Sequence, residues 1–203
     1  KYDPSIRVGF AMHLCVFEPE RKHNLSDKIM CKIMNKCFQD SICKAMMWGK
    51  FSLPIGFIGC RKGVYADFFG INYYVRNMVR GFGYHPKEGS TYNDLGWEIY
   101  PEGLRLICEK FHKKFKKEIY ITENGTADRK DGFREKYIRD HLAAINDLNY
   151  VTRYYHGTFI DNWEWAEGQS ACFGLVECDY NTQVRTIRTS GKYYAKLLKD
   201  RNL

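Results

Sequence analysis

Glu123 closes a stretch whose residue types could do nucleophilic or acid–base chemistry. In Glu118-Ile119-Tyr120-Ile121-Thr122-Glu123-Asn124-Gly125, four β-branched or aromatic residues run directly into a carboxylate, and Asn124-Gly125 then turns the chain. A Glu at the carboxyl end of such a strand, exposed by a tight turn, is where a parallel α/β barrel keeps catalytic groups. The same pattern also fits a solvated carboxylate at a strand–turn junction, since strand-end carboxylates are common and few of them react.

The elements that must position this carboxylate alternate along the chain. Residues 6 to 17 form a nearly continuous apolar run suited to a strand buried on both faces. Ser26, followed by Asp27, is placed to cap a helix on which Ile29, Met30, Ile33, Met34, Cys37 and Phe38 recur at helical spacing. Residues 49 to 63 read as loop and Tyr65 to Tyr74 as the next strand. A long loop from Asn77 to Asn93 is marked by Gly81, Gly83, Pro86 and Gly89. Pro101-Glu102 opens a helix running to about Lys117, with proline at a first-turn position. The Glu123 strand follows, and Asp131-Gly132 precedes a helix to about Leu148 with Tyr137, Ile138, His141, Leu142 and Ile145 on one face. A last strand at about 157 to 162 and a helix over 187 to 200 complete four strand–helix units. Right-handed crossovers make such a sheet parallel.

Composition excludes several functions. The 203 residues are 44% hydrophobic, enough for one sizeable core, but fall short of the about 250 residues of a complete (β/α)8 barrel. A net charge of +8 invites a nucleic-acid reading, yet the bases are scattered and no nucleic-acid signature is present. The dense run from Lys110 to Lys117 carries Phe111 and Phe115 four apart, as the solvated face of a helix does. Eight cysteines include no C-x-x-C pair, so neither a metal site nor a redox site is suggested. With no signal peptide and no long apolar run, they read as reduced, mostly buried thiols of a cytoplasmic protein that makes no membrane contact, although a signal could have been lost with a missing N-terminus.

The Glu123 segment resembles the nucleophile motif of family 1 glycoside hydrolases, the β-glucosidase family. Four further stretches resemble the family in the same order: Phe69-Gly70-Ile71-Asn72-Tyr73-Tyr74, Leu95 to Leu104, Asp161 to Gly168, and Phe173-Gly174-Leu175-Val176. The resemblance implies an α/β fold, a (β/α)8 TIM barrel of which this chain is the C-terminal half, strands 5 to 8 with their helices, in one partial domain over 1–203. It implies a retaining β-glycosidase, β-glucosidase-like, acting by double displacement on an unphosphorylated β-glucoside with no cofactor and no metal. Glu123 is then the nucleophile and Tyr74 the hydroxyl that donates to it, with Asn72 as a support of the site. Glu164 and Trp165 match the pair that holds the sugar, the carboxylate accepting two hydroxyl hydrogens and the indole packing on the pyranose. Trp97 and Phe173 match positions flanking the leaving-group side, and each equally suits a core aromatic.

Two departures stand out. Gly157 occupies the position, four residues before Asp161, where the family usually has a tryptophan platform. The Asn-Glu-Pro motif of the family's acid/base Glu is absent, and Glu18-Pro19 resembles it only superficially, with Phe17 in place of Asn. The expected partners are accordingly a β-glucoside and either a separate N-terminal half-barrel or a second copy covering the open edges. The alternative is a sugar-binding or interaction protein that performs no catalysis.

Overall fold

The computed structural model describes residues 3 and 5–200. Strand β1 (Gly9–Pro19) is followed by helices α1 (Leu25–Met34) and α2 (Ser41–Trp48), joined by a wide π-helical turn over Asn35–Asp40. Next come β2 (Phe68–Arg80), the short β3 (Gly83–His85), α3 (Pro101–Phe115), β4 (Glu118–Asn124), α4 (Arg134–Ile145) and β5 (Val151–His156). The hairpin strands β6 (Val176–Cys178) and β7 (Arg185–Ile187) lead to α5 (Thr189–Asp200). Strands β1, β2, β4 and β5 lie side by side in that order, all parallel, as consecutive βα units require.

Alternation along β2 divides the molecule. Ile71 and Tyr73 point to the helices and are fully buried with Leu14 of β1 and Leu104, Ile107 and Phe111 of α3. Phe69 stacks on Phe111 with centroids 5.0 Å apart. Asn72 and Tyr74 therefore point to the opposite face, where the candidate site lies. The Lys110–Lys117 run behaves as its spacing predicts: Phe111 and Phe115 are buried, and Lys114 donates to Asp40 at 2.8 Å.

Four local expectations are corrected. Asn24, not Ser26, caps α1, its side chain accepting from the Asp27 N–H at 3.1 Å. Asp27 is buried instead, held by two Arg21 hydrogen bonds of 2.9 and 2.8 Å. The expected apolar face of α1 is split: Cys31 and Met34, with Met30, pack against Val79, whereas Ile29 and Ile33 of the same helix and Phe38 of the π-helical turn are exposed. Strand β2 runs on to Arg80 and pairs antiparallel with β3, so the expected loop from Asn77 begins as a hairpin. The last parallel strand is Val151–His156, not 157–162. Val151, Thr152, Tyr154 and Tyr155 carry the β propensity, and 157–162 makes only the single bridge Ile160 to Val176.

The cysteines are all free, with Cys15, Cys31, Cys43, Cys108 and Cys172 buried and Cys60 exposed. No helix among the described residues is long and apolar enough to cross a membrane.

Candidate active site

Glu123 is the penultimate residue of β4, exposed, and in register with Asn72 of β2 across an irregularity that inserts Thr122. The Tyr74 hydroxyl donates to Glu123 Oε2 at 2.9 Å. Burial first, then the Glu123 charge, raise the Tyr74 pKa, so the phenol remains a proton donor. Asn72 does not bond Glu123; its amide oxygen accepts from the Thr122 hydroxyl at 2.5 Å, fixing the residue beside the carboxylate.

What holds Glu123 in place is the next residue, whose position before Gly125 suits a turn former. The Asn124 side chain is fully buried and donates at 2.8 Å both to the Tyr73 carbonyl and to the Tyr137 hydroxyl, while accepting from Tyr154 at 2.9 Å. One amide thereby ties β4 to β2, α4 and β5. Gly125 is required by a close approach: a Cβ there would lie 1.6 Å from the Gly157 carbonyl oxygen. Gly157 itself is packed on the site, since a Cβ on it would stand 2.9 Å from the Tyr74 hydroxyl and 3.7 Å from Glu123 Cβ.

The loop after β5 brings Glu164 and Trp165. It is anchored by Asp161, whose carboxylate accepts from Arg188 at 2.9 and 2.8 Å and from the Gly174 N–H at 2.8 Å, with both members of the ion pair buried. Burial, then repulsion from Glu123 and Glu167, raise the Glu164 pKa, so Glu164 and Glu123 act on one another electrostatically. Trp165 is 86% exposed and holds a left-handed backbone (φ 44°), an uncommon conformation for an aromatic residue.

Trp97 and Phe173 are brought to Tyr74 in a triangle of rings, themselves 5.9 Å apart. The Tyr74 ring meets Trp97 edge-on at 5.9 Å and Phe173 at 6.0 Å. Phe173 is 3% exposed, backing Tyr74 from the core with Ala127 and Ala171, while Trp97 faces an open groove. Glu18 is the penultimate residue of β1, directly after the apolar run, and its carboxylate accepts from Arg76 at 3.3 Å.

His13 joins this site without belonging to any of the family-like stretches. It stands on β1 in register with Asn72, and its imidazole stacks on Tyr74 at 6.1 Å and 22°. Surrounding protein lowers its pKa, and the Glu123 charge opposes that shift. The signal for it was present: a lone His in an otherwise apolar strand.

A sequence model described as Glycosyl hydrolase family 1 matches residues 62–203. The chain is 36% identical over 160 residues to 1,4-beta-D-glucan glucohydrolase of Thermotoga neapolitana, covering 68% of this chain and 35% of that protein. It is 35% identical over 151 residues to a beta-galactosidase of Saccharolobus solfataricus, covering 64% and 31%. Among solved structures, a beta-glycosidase from Pyrococcus horikoshii superposes with TM-score 0.82 at 30% identity over 97% of this chain and 51% of that one. The beta-glucosidase of Thermotoga maritima in complex with glucoimidazole gives TM-score 0.82 at 26% identity, over 95% and 51%. The chain thus spans about a third of the length of these curated relatives and half of the solved barrels. Its four parallel strands and their helices are part of a (β/α)8 barrel. Ordered stretches along the chain, a parallel βα sheet and a match over 70% of the residues, 142 of 203, lead to one assignment: the chain belongs to glycosyl hydrolase family 1.

Proposed function

We propose that this chain carries the nucleophile and sugar-binding part of a retaining β-glycosidase acting on unphosphorylated β-glucosides. The observation that carries the reading is the 2.9 Å hydrogen bond from Tyr74, midway along β2, to Glu123 at the carboxyl end of the neighbouring parallel strand β4. A nucleophilic carboxylate must be ionised and aimed, and a neutral phenol donor serves both needs. Glu123 attacks the anomeric carbon, the glycosidic C–O bond breaks, and the leaving oxygen departs with the electron pair and a proton from an acid. Water then hydrolyses the glycosyl ester. Glu164 and Trp165 bind the sugar hydroxyls and ring face, Asn72 braces the carboxylate through Thr122, and Trp97 and Phe173 complete the leaving-group side around Tyr74. No cofactor or metal takes part. Residues 1–203 act as one partial-barrel domain, completed by a further half-barrel or a second copy.

The test is intact-mass labelling with a 2-deoxy-2-fluoro-β-glucoside bearing an activated leaving group, which needs no protein acid. One adduct is expected, mapped to Glu123 and lost in Glu123→Gln; full labelling of that variant overturns the assignment. A second reading, sugar binding without turnover, is favoured by the engagement of Glu18 with Arg76, which removes that carboxylate from acid duty. Binding of glucosides with no adduct at Glu123 would establish it.

A further inference from the structure

The end of the sheet opposite the candidate site carries a surface that the glycosidase reading does not use. Because β1, β2, β4 and β5 are parallel, the segments that lead into them gather at one end, while Glu123 stands near the finish of β4 at the other. The longest of these leads is residues 49–67, between α2 and β2. Its base is pinned: the Ser41 hydroxyl donates to the Leu53 carbonyl at 2.9 Å, and the N–H groups of Gly63 and Tyr65 donate to the Trp48 and Met47 carbonyls at 3.2 and 3.0 Å. Its tip stands in solvent, with Phe57 78% and Ile58 95% exposed. Leu53, Ile55 and Val64 of the same loop are exposed as well. The lead into β1 adds exposed Ile6 and Val8, and the Val8 carbonyl accepts the Asp67 N–H at 2.7 Å, which joins the two leads into one face. Apolar side chains gathered at a surface in this way mark a contact.

Charge along this loop has one sign. From Ser41 to Ala66 there is no Asp or Glu, whereas Lys44, Lys50, Arg61 and Lys62 all fall within that stretch. Lys113 and Lys116, where α3 ends, are exposed at the same end of the sheet. Two carboxylates at this end are engaged by the protein itself. Asp67 accepts the Val8 N–H at 2.8 Å, and Glu118 pairs with Arg7 and accepts from the Thr152 hydroxyl. Apolar tip residues flanked by cations suit the surface of an anionic bilayer, where the apolar groups enter the acyl boundary and the cations stay among the headgroups. A protein partner calls for a broad face of fixed shape. Here the apolar groups stand on a loop interrupted by Gly56, Gly59 and Gly63, a support that a fluid bilayer accepts without shape matching.

We propose that residues 49–67 and the lead into β1 form a docking surface for an anionic lipid bilayer, with Phe57 and Ile58 entering the membrane interface and Lys50, Arg61 and Lys62 meeting the headgroups. The contact is peripheral and needs no long apolar run, on whose lack the expectation of no membrane contact rested. Docking by this face turns Glu123 away from the bilayer.

The test is cosedimentation of the purified chain with vesicles of equal parts phosphatidylserine and phosphatidylcholine, and with vesicles of phosphatidylcholine alone. The parent is compared with Phe57→Ser, Ile58→Ser and the double variant Arg61→Gln/Lys62→Gln. All four side chains are exposed, and an unmoved melting midpoint checks that the fold is retained. The parent is expected to bind the anionic vesicles at least about tenfold more tightly than the neutral ones, and more weakly as salt is raised. Each apolar variant should lose about tenfold, and the double variant a similar factor together with much of the salt dependence. Phe82→Ser, at the β2–β3 hairpin on the opposite end and 92% exposed in the parent, should bind as the parent does. No binding to anionic vesicles, equal binding to both kinds, undiminished binding in Phe57→Ser and Ile58→Ser, or an equal loss in Phe82→Ser overturns the proposal. So does a lipid-free dimer by light scattering that Phe57→Ser dissociates, which would give the face to a second copy. Labelling at Glu123 reads the other end of the molecule, so loss of docking leaves the glycosidase reading in place, and absence of an adduct leaves docking in place.

Discussion

At the residue scale, the Tyr74–Glu123 hydrogen bond can be removed without disturbing what surrounds it. Tyr74→Phe keeps the ring against Trp97 and Phe173 and deletes only the donor to the carboxylate. A hydrogen bond to a charged group contributes about 1.5–3 kcal/mol, so fluoroglucoside labelling should slow by about 10- to 100-fold with an unmoved melting midpoint. Gly157→Ala tests the same bond from the other side. Its new Cβ would stand 2.9 Å from the Tyr74 hydroxyl and must displace it. The labelling rate of Gly157→Ala is expected to fall like that of Tyr74→Phe, and the double variant to fall no further, since both act on one contact. Glu123, Tyr74 and Glu164 were legible because each sits in an ordered stretch of family-like residues. Asn124 was not: one sequence shows an Asn before Gly, which suits a turn, and cannot show three partners from three elements converging on its amide.

At the scale of elements, the loop after β5 depends on Asp161 and Arg188, a buried two-point ion pair that joins it to the junction between β7 and α5. Asp161→Asn leaves the guanidinium buried with its charge uncompensated. Urea unfolding should show a loss of roughly 3–5 kcal/mol, and the loop carrying Glu164 should become protease-sensitive. The helices were legible where apolar spacing was strong, as in α3, with its proline start and the buried series Leu104, Ile107, Phe111. The β6–β7 hairpin was not, since strands of three residues carry too little pattern. The Asn35–Asp40 turn escaped for another reason. Its role is to place Gln39 against the unpaired Cys15 N–H at the bulge in β1, a match between two irregularities that neither segment reveals alone.

For the whole molecule, acid stability is set by histidines kept neutral in the interior. Burial pushes His141 from 6.5 down to about 4 and His156 down to about 3, the latter helped by Arg134 nearby. Unfolding restores the ordinary value, so the unfolded chain binds more protons in the window between. Stability from these groups is present above about pH 6.5 and is lost as pH falls toward 4, by roughly 3 kcal/mol for His141. Denaturant melts from pH 7 to pH 4.5 should show that slope, and His141→Phe, which retains a ring over Tyr137, should flatten it. The barrel architecture was legible from the order of strands and helices. The distribution of buried charge was not, because it depends on which faces meet.

The order β1-β2-β4-β5 has a consequence for motion. Glu123 and Tyr74 lie on the two inner strands, each laddered on both sides, whereas His13 lies on an outer one. Amide hydrogen exchange should be slowest along β2 and β4 and faster along β1, because edge ladders open with fewer bonds broken. The candidate nucleophile and its donor thus sit on the strands that open last, while His13 and the loop bearing Glu164 and Trp165 hang from the two that open first.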